Sequence, residues 1–156
     1  MCLAPGYLFD TSAINAALDR GLDADAFAGR GALFITHVQA DELRATRKPP
    51  GRLEALLNAL EILAPEKVLT SVAVWNESKW GEARWGDSRS HSVYESLVRT
   101  LNTRNGSKAN NARDALIGVT AIAEGMTLVT NDRDQGAVVR ELGGRAVSFD
   151  AFLTGD

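Results

Sequence analysis

Short apolar runs alternate with helix-patterned stretches along this chain, and that alternation narrows the available folds more than any other feature. The runs lie at residues 7–9, 33–35, 67–70, 127–130 and 145–149. Helical patterning fills the intervals at 13–19, 23–28, from 36 to before Pro49-Pro50, and at 52–63, 72–85, 93–101, 112–124 and 135–142. Strands separated by helices imply an α/β protein, here a three-layer α/β/α sandwich with a mostly parallel central sheet. Residues 1–156 are read as one domain, long enough to bury its own core.

Local signals mark many of the boundaries. Thr11-Ser12 offers capping hydroxyls, and Gly21 closes the stretch that follows. Thr36 and Gln39 form a capping-box pattern at the head of the helix that carries Asp41 and Glu42. Leu53, Leu56, Leu57, Leu60 and Leu63 recur at three and four residues, defining one apolar helix face. Asn110 or Asn111 is placed to cap the helix at 112–124, which Gly125 ends, and Gly143-Gly144 stops the next. Residues 86–92 and 102–111 read as polar loops. Trp75, Trp80 and Trp85 fall on the expected helix at 72–85, where a spacing of five sends them to different faces.

Four acids occupy particular places in this plan. In open parallel sheets, ligands gather beyond the C-terminal strand ends, and Asp10 and Asp132 both lie just past such ends. Glu42 sits in the early turns of its helix, beside the buried face marked by Val38 and Leu43. Asp114 falls in a first helical turn, where the helix dipole helps keep it ionised. Each has an ordinary explanation alone: a cap for Asp10, a solvated helix face for Glu42, the dipole for Asp114, turn chemistry for Asp132. Their conjunction carries the argument. Massed carboxylates repel and raise one another's pKa unless a cation lies between them. Hard oxygen ligands suit Mg²⁺ or Mn²⁺, which points to metal-assisted hydrolysis of a phosphodiester.

The formal net charge of −3 argues mildly against nucleic-acid binding as an average, but its distribution says more. Arg44, Arg47, Lys48 and Arg52 follow Glu42 with no acid among them, and Arg99, Arg104, Lys108 and Arg113 precede Asp114 in the same way. Cations rimming an acidic metal pocket are what a polyanionic substrate needs. With Cys2 as the only cysteine, neither an internal disulfide nor a cysteine metal site is expected. His37 reads as structural, His91 as a polar-loop residue that could touch such a substrate, and Cys2 as inert. No apolar run approaches the ~18–20 residues of a membrane span, and the first residues lack signal-peptide character. A cytoplasmic protein is the expectation.

FDTSAI around Asp10, the helix bearing Glu42, RDALIGVTAIAEG around Asp114 and LVTNDRD around Asp132 together resemble the PIN-domain ribonucleases, and among them the VapC-type toxins of toxin–antitoxin pairs. The resemblance implies a PIN-like sandwich and an Mg²⁺- or Mn²⁺-dependent endoribonuclease. It places Asp10, Glu42, Asp114 and Asp132 at the catalytic metal, with Asp134 as a possible fifth acid and Thr11, Ser12 and Thr130 as hydroxyls bonding around it. Gln135 stands where an aromatic often follows in the family, so either Asp132 or Asp134 can be the acid facing the metal. Arg44, Arg47, Lys48 and Arg113 are candidates to position RNA. A small antitoxin and a homodimeric partner are implied, with the helix at 52–63 as a partner surface. For the tryptophans, core packing of one or two and a dimer or antitoxin contact for another is favoured over base stacking. Two other readings are a non-catalytic PIN-fold module binding RNA or protein, and a phosphotransfer or phosphatase domain using Asp10 as nucleophile. Against the latter, the second residue after Asp10 is Ser12, where a haloacid-dehalogenase-type phosphatase would place an aspartate.

Overall fold

The computed structural model describes residues 6–21 and 24–155; Cys2 and Asp23 lie outside them. Among the described residues, five strands form one parallel sheet: β1 (Gly6–Phe9), β2 (Ala32–Ile35), β3 (Glu66–Lys67), β4 (Thr127–Val129) and β5 (Arg145–Val147). Their order is β3-β2-β1-β4-β5, with Tyr7 of β1 opposite Leu33 on one side and Thr127 on the other. The helices are α1 (Thr11–Asp19), α2 (His37–Arg44), α3 (Arg52–Leu63), α4 (Ser88–Asn105), α5 (Asn111–Ala123), α6 (Arg133–Glu141) and α7 (Phe149–Thr154). The stretch at 23–28 contributes a single 3-10 turn, Ala24–Phe27.

Successive strand residues point to opposite faces, and the core divides accordingly. Leu8 and Leu128 pack with Leu97 and Leu101 of α4, the inner face of α5, and Val138 and Val139 of α6. Phe9 and Val129 face the other way, onto Ala13, Ile14 and Ala17 of α1, Leu56 of α3, and Phe149 and Phe152 of α7. Phe9, Phe27, Phe149 and Phe152 meet at ring separations of 5.0–6.3 Å, with Phe9 edge to face against both Phe149 and Phe152. The three-layer expectation holds. The chain runs outward from β1 through β2 to β3 on one side, while β4 and β5 continue on the other. The strand order therefore reverses between β1 and β4, and a crevice opens at their C-terminal ends.

Several local expectations change. Residues 72–85 form no helix: Asn76 and Gly81 take left-handed backbone conformations (φ 66° and 74°), and each interrupts a right-handed helix. The segment is a loop closed at its base, where the Thr70 N–H donates to the Glu82 carbonyl (3.0 Å) and the Arg84 N–H to the Thr70 carbonyl (2.8 Å). None of its tryptophans packs in the core. Helix α4 takes in much of both predicted loops, because the Asp87 carboxylate caps it through the Ser90 N–H (2.7 Å) and Gly106 ends it. His91 is therefore helical, its Nε2 donating to the Trp85 carbonyl at 2.6 Å.

Asn110 occupies the N-cap position of α5 without a side-chain capping bond. Asn111 is instead buried in an amide network with Asn102 and Asn105. Strand β3 is shorter than the predicted 67–70, and β5 stops at Val147 because Ser148 caps α7, accepting from the Ala151 N–H at 3.1 Å. No helix among the described residues is long and apolar enough to cross a membrane.

Candidate functional site

The crevice between β1 and β4 is built from the first residues after each strand. The Asp10 N–H continues the sheet by donating to the Val129 carbonyl (3.0 Å), which brings the side chain to the head of α1. There its Oδ2 accepts from the Ser12 N–H (3.3 Å), the Ser12 hydroxyl (2.8 Å) and the Thr130 hydroxyl (3.1 Å). Asp10 is thus a helix cap and also a buried acid, 6% exposed. Burial raises its pKa, against the opposing hydrogen bonds from Ser12, Thr130 and Thr11.

Helix α2 delivers Glu42. Its capping box is complete: the Thr36 hydroxyl accepts from the Val38 N–H (3.1 Å) and the Gln39 side-chain carbonyl from the Thr36 N–H (3.0 Å). The same Gln39 donates through Nε2 to the Phe9 carbonyl (3.0 Å), pinning α2 to the end of β1. Glu42 accepts a hydrogen bond from the Thr11 hydroxyl, so two successive residues, Asp10 and Thr11, touch or form the acidic centre. Burial raises the Glu42 pKa. The Thr11 hydroxyl and the Arg113 charge oppose that rise, while Asp10 and Glu77 add to it.

Asp114 enters from the first turn of α5, whose opposite face is buried from Ala115 to Ala121. Its pKa is pushed up to about 7, first by burial and then by the charges of Asp10, Asp132 and Glu42, with Lys108 opposing. Four carboxylates from four separate segments therefore share one electrostatic centre. Asp132 caps α6, its Oδ1 accepting from the N–H groups of Asp134 (2.9 Å) and Gln135 (3.1 Å). Asp134 instead pairs with Arg104 of α4 at 3.3 Å.

Three residues join these segments. Thr130 Oγ1 accepts from the Asp132 N–H (3.1 Å) and lies within bonding distance of Asp10 Oδ2 and of Gln135 Oε1 (2.9 Å). Buried Gln135 donates from Nε2 to the Asp114 carbonyl at 3.2 Å. The Asn131 N–H donates to Ser12 Oγ (3.0 Å), while its Oδ1 holds the Phe149 N–H (3.0 Å). Sequence reasoning selected the acids and hydroxyls but missed Gln39 and Gln135 as the amides that hold them. The available signal was a glutamine on an otherwise apolar helix face: Gln39 stands beside Val38, Ala40 and Leu43, and Gln135 three and four residues before Val138 and Val139.

The cations distribute unevenly. Arg113 Nε lies 2.9 Å from Glu77, and Arg44 makes a long 3.9 Å pair with Asp41. Arg47 and Lys48 are exposed on the turn after α2, with Arg47 donating to the Arg44 carbonyl at 2.8 Å. Among the described residues, no three acidic, histidine or cysteine side chains close into a finished ligand cluster. The donor set is all carboxylate and mutually repelling, with Asp10 buried, Glu42 and Asp114 half-buried and Asp132 exposed. It fits a hard divalent cation that keeps several of its waters, since Mg²⁺ binds through one or two carboxylates more often than through a complete protein cage.

A sequence model of the PIN domain family matches residues 7–141, and the chain belongs to that family. The fold is shared with VapBC2 from Rickettsia felis, solved bound to a DNA fragment from its promoter (TM-score 0.56, 18% identity, covering 92% of this chain and 98% of that one). It is shared also with PAE2754 from Pyrobaculum aerophilum (TM-score 0.53, 18% identity, 99% and 97% covered). A third relative in fold is VapBC-5 from Mycobacterium tuberculosis, a member of the VapBC family of toxin–antitoxin systems (TM-score 0.52, 19% identity, 92% and 96% covered). No curated protein matches the sequence.

Proposed function

We propose that the protein is a divalent-metal-dependent endoribonuclease, the VapC-type toxin member of a toxin–antitoxin pair. The observation that carries this reading is the coupling of Asp10, Glu42, Asp114 and Asp132 at the β1/β4 crevice, where burial and mutual repulsion leave a site that calls for a cation. Bound Mg²⁺ or Mn²⁺ would supply a water of lowered pKa and neutralise charge on the phosphate oxygens. The four carboxylates would hold the metal, and the Asp134 pair with Arg104 favours Asp132 over Asp134 in that role. Thr11, Ser12 and Thr130 hold the carboxylates at their settings. Exposed Arg47 and Lys48, and Arg44 with only its long pair to Asp41, are placed to meet the RNA backbone, whereas Arg113 is engaged with Glu77 and contributes its charge to the site wall.

The partner assignment draws on fold relatives described as toxin–antitoxin proteins and on apolar surface left on α3. Leu57 (41% exposed) and Ile62 (51%) face outward there, and both an antitoxin and a second copy are candidates to cover them. A cytoplasmic location accompanies this reading. The test is incubation of a mixed RNA pool with purified protein in Mg²⁺, in Mn²⁺ and in EDTA, alongside Asp10→Asn. Cutting that needs metal and disappears in the variant is the expected result. Cutting that survives either EDTA or Asp10→Asn would reject the assignment.

A further inference from the structure

Trp75, Trp80 and Trp85 stand almost wholly in solvent, 91%, 94% and 78% exposed. Large apolar side chains grouped on a surface commonly mark a binding site. All three lie on the loop between β3 and α4. Three contacts tie that loop to the carboxylate centre: His37 Nε2 donates to the Glu77 carbonyl (3.0 Å), Lys79 Nζ meets Asp41 beside Glu42 (2.7 Å), and Arg113 beside Asp114 meets Glu77 (2.9 Å). The indoles border a cavity of about 430 Å³ whose charged lining group is Lys79. Among the described residues, no aromatic ring packs on any of the three, so their faces are available.

We propose that these tryptophans are a stacking platform for unpaired bases of the RNA whose backbone runs into the carboxylate site. Every base presents a π face, so aromatic platforms grip single strands without demanding a sequence, and a nearby cation tracks the phosphates. Continuity with the acidic centre favours this occupant over a protein. The lining also favours it: beside the indoles, Asn76, Ser78, Lys79 and Gly81 are polar or small, and Val74 is the one branched aliphatic residue that a docked helix could bury against. The identity of the polymer rests on the nuclease reading.

The test is a tryptophan-fluorescence titration in EDTA with a short 2′-O-methyl oligoadenylate, compared with an abasic strand of the same length and charge. Quenching by the base-bearing strand and much weaker binding of the abasic one are expected. Trp80→Ala, at an exposed position, is expected to unfold at the wild-type midpoint yet bind on the order of ten-fold more weakly, equivalent to about 1.4 kcal/mol. Trp80→Phe should recover most of the loss. Equal affinity for the two strands, or unchanged binding by Ala variants at all three positions, overturns the platform. Unchanged RNA binding accompanied by a drop from dimer to monomer mass overturns it too, and makes the surface a protein interface. Cleavage assays separate this inference from the reading beneath it. Cutting lost in Asp10→Asn but with KM unmoved by the tryptophan substitutions rejects the platform and keeps the nuclease. Base-dependent quenching with cutting that survives Asp10→Asn keeps the platform and rejects the nuclease site.

Discussion

Thr130 Oγ1 lies 3.1 Å from Asp10 Oδ2, bridging the ends of two neighbouring parallel strands at the point where the strand order reverses. The same oxygen accepts from the Asp132 N–H, so one hydroxyl sets two acids that are 122 residues apart. Thr130→Val keeps the shape and removes the bridge. It is expected to destabilise the fold by about 1–2 kcal/mol, since the Asp132 N–H loses its acceptor. Metal-dependent cleavage is expected to fall about 10–100-fold, as when groups supporting metal ligands are removed. Thermal unfolding and cleavage rates measured side by side check both figures; wild-type values for both would remove Thr130 from the account.

The raised pKa of Asp114 makes a prediction about metal-free protein. Unfolded, the group titrates at its ordinary value near ~3.9; folded, it titrates at about 7. Between those values the folded state binds more protons than the unfolded state, so stability declines as pH rises from about 4 to about 7 and the loss is complete above. Asp10 and Glu42 are shifted in the same direction and add to the slope. Melting in EDTA across this range should show the decline, and Asp114→Asn should flatten it. Adding Mn²⁺ at pH 8 should raise the wild-type midpoint, because a ligand binding only the folded state stabilises it. A flat EDTA profile would contradict the crowding of the acids.

Much of this was legible before any coordinates. Five apolar runs fixed the strands because each is bounded by capping or turn residues, and the capping box at Thr36 and Gln39 placed α2 correctly. Three of the candidate acids were legible for the same reason: Asp10, Asp114 and Asp132 sit at element boundaries that the local chemistry marks, whereas Glu42 lies inside α2. The helix at 93–101 was read as well and is the middle of α4, but the stretches on either side of it, 72–92 and 102–105, were not. Three bulky tryptophans look like core residues when read one at a time, and only long-range pairing of Thr70 with Glu82 and Arg84 reveals a closed loop. Helix α4 begins in a polar stretch, where apolar periodicity is silent and Asp87 was the one available sign. Strand β5 was overextended because Phe149 reads as β-prone; Ser148 capping α7 outweighs that preference.

Gly86 is where the tryptophan loop depends on a missing side chain. Its φ is 75°, and a Cβ there would lie 2.8 Å from the Ser71 carbonyl and from Val72 Cγ1. Gly86→Ala should therefore cost about 1–3 kcal/mol and displace the loop. A lowered unfolding midpoint and altered tryptophan emission are the readouts, and an unchanged spectrum would mean that the loop does not rest on this turn.

Adjacent leucines on α3 should behave oppositely. Leu56 is fully buried, so it belongs to the core and cannot report on a partner surface. Leu56→Ala should lose about 2–5 kcal/mol through the cavity it leaves. Leu57→Glu should unfold near the wild-type midpoint and, if α3 is covered in solution, lower the mass seen by light scattering. Unchanged mass together with unchanged antitoxin binding would remove α3 as an interface.

The central claim is that four carboxylates from distant segments act as one metal site, and a calorimetric Mn²⁺ titration tests it most directly. Wild type, Asp10→Asn and Asp114→Asn would be compared with Asp134→Asn at one pH. The account predicts saturable binding by wild type, loss of at least about ten-fold in affinity for the first two variants, and near wild-type affinity for Asp134→Asn, whose carboxylate is paired with Arg104. Indistinguishable isotherms for wild type, Asp10→Asn and Asp114→Asn would contradict it.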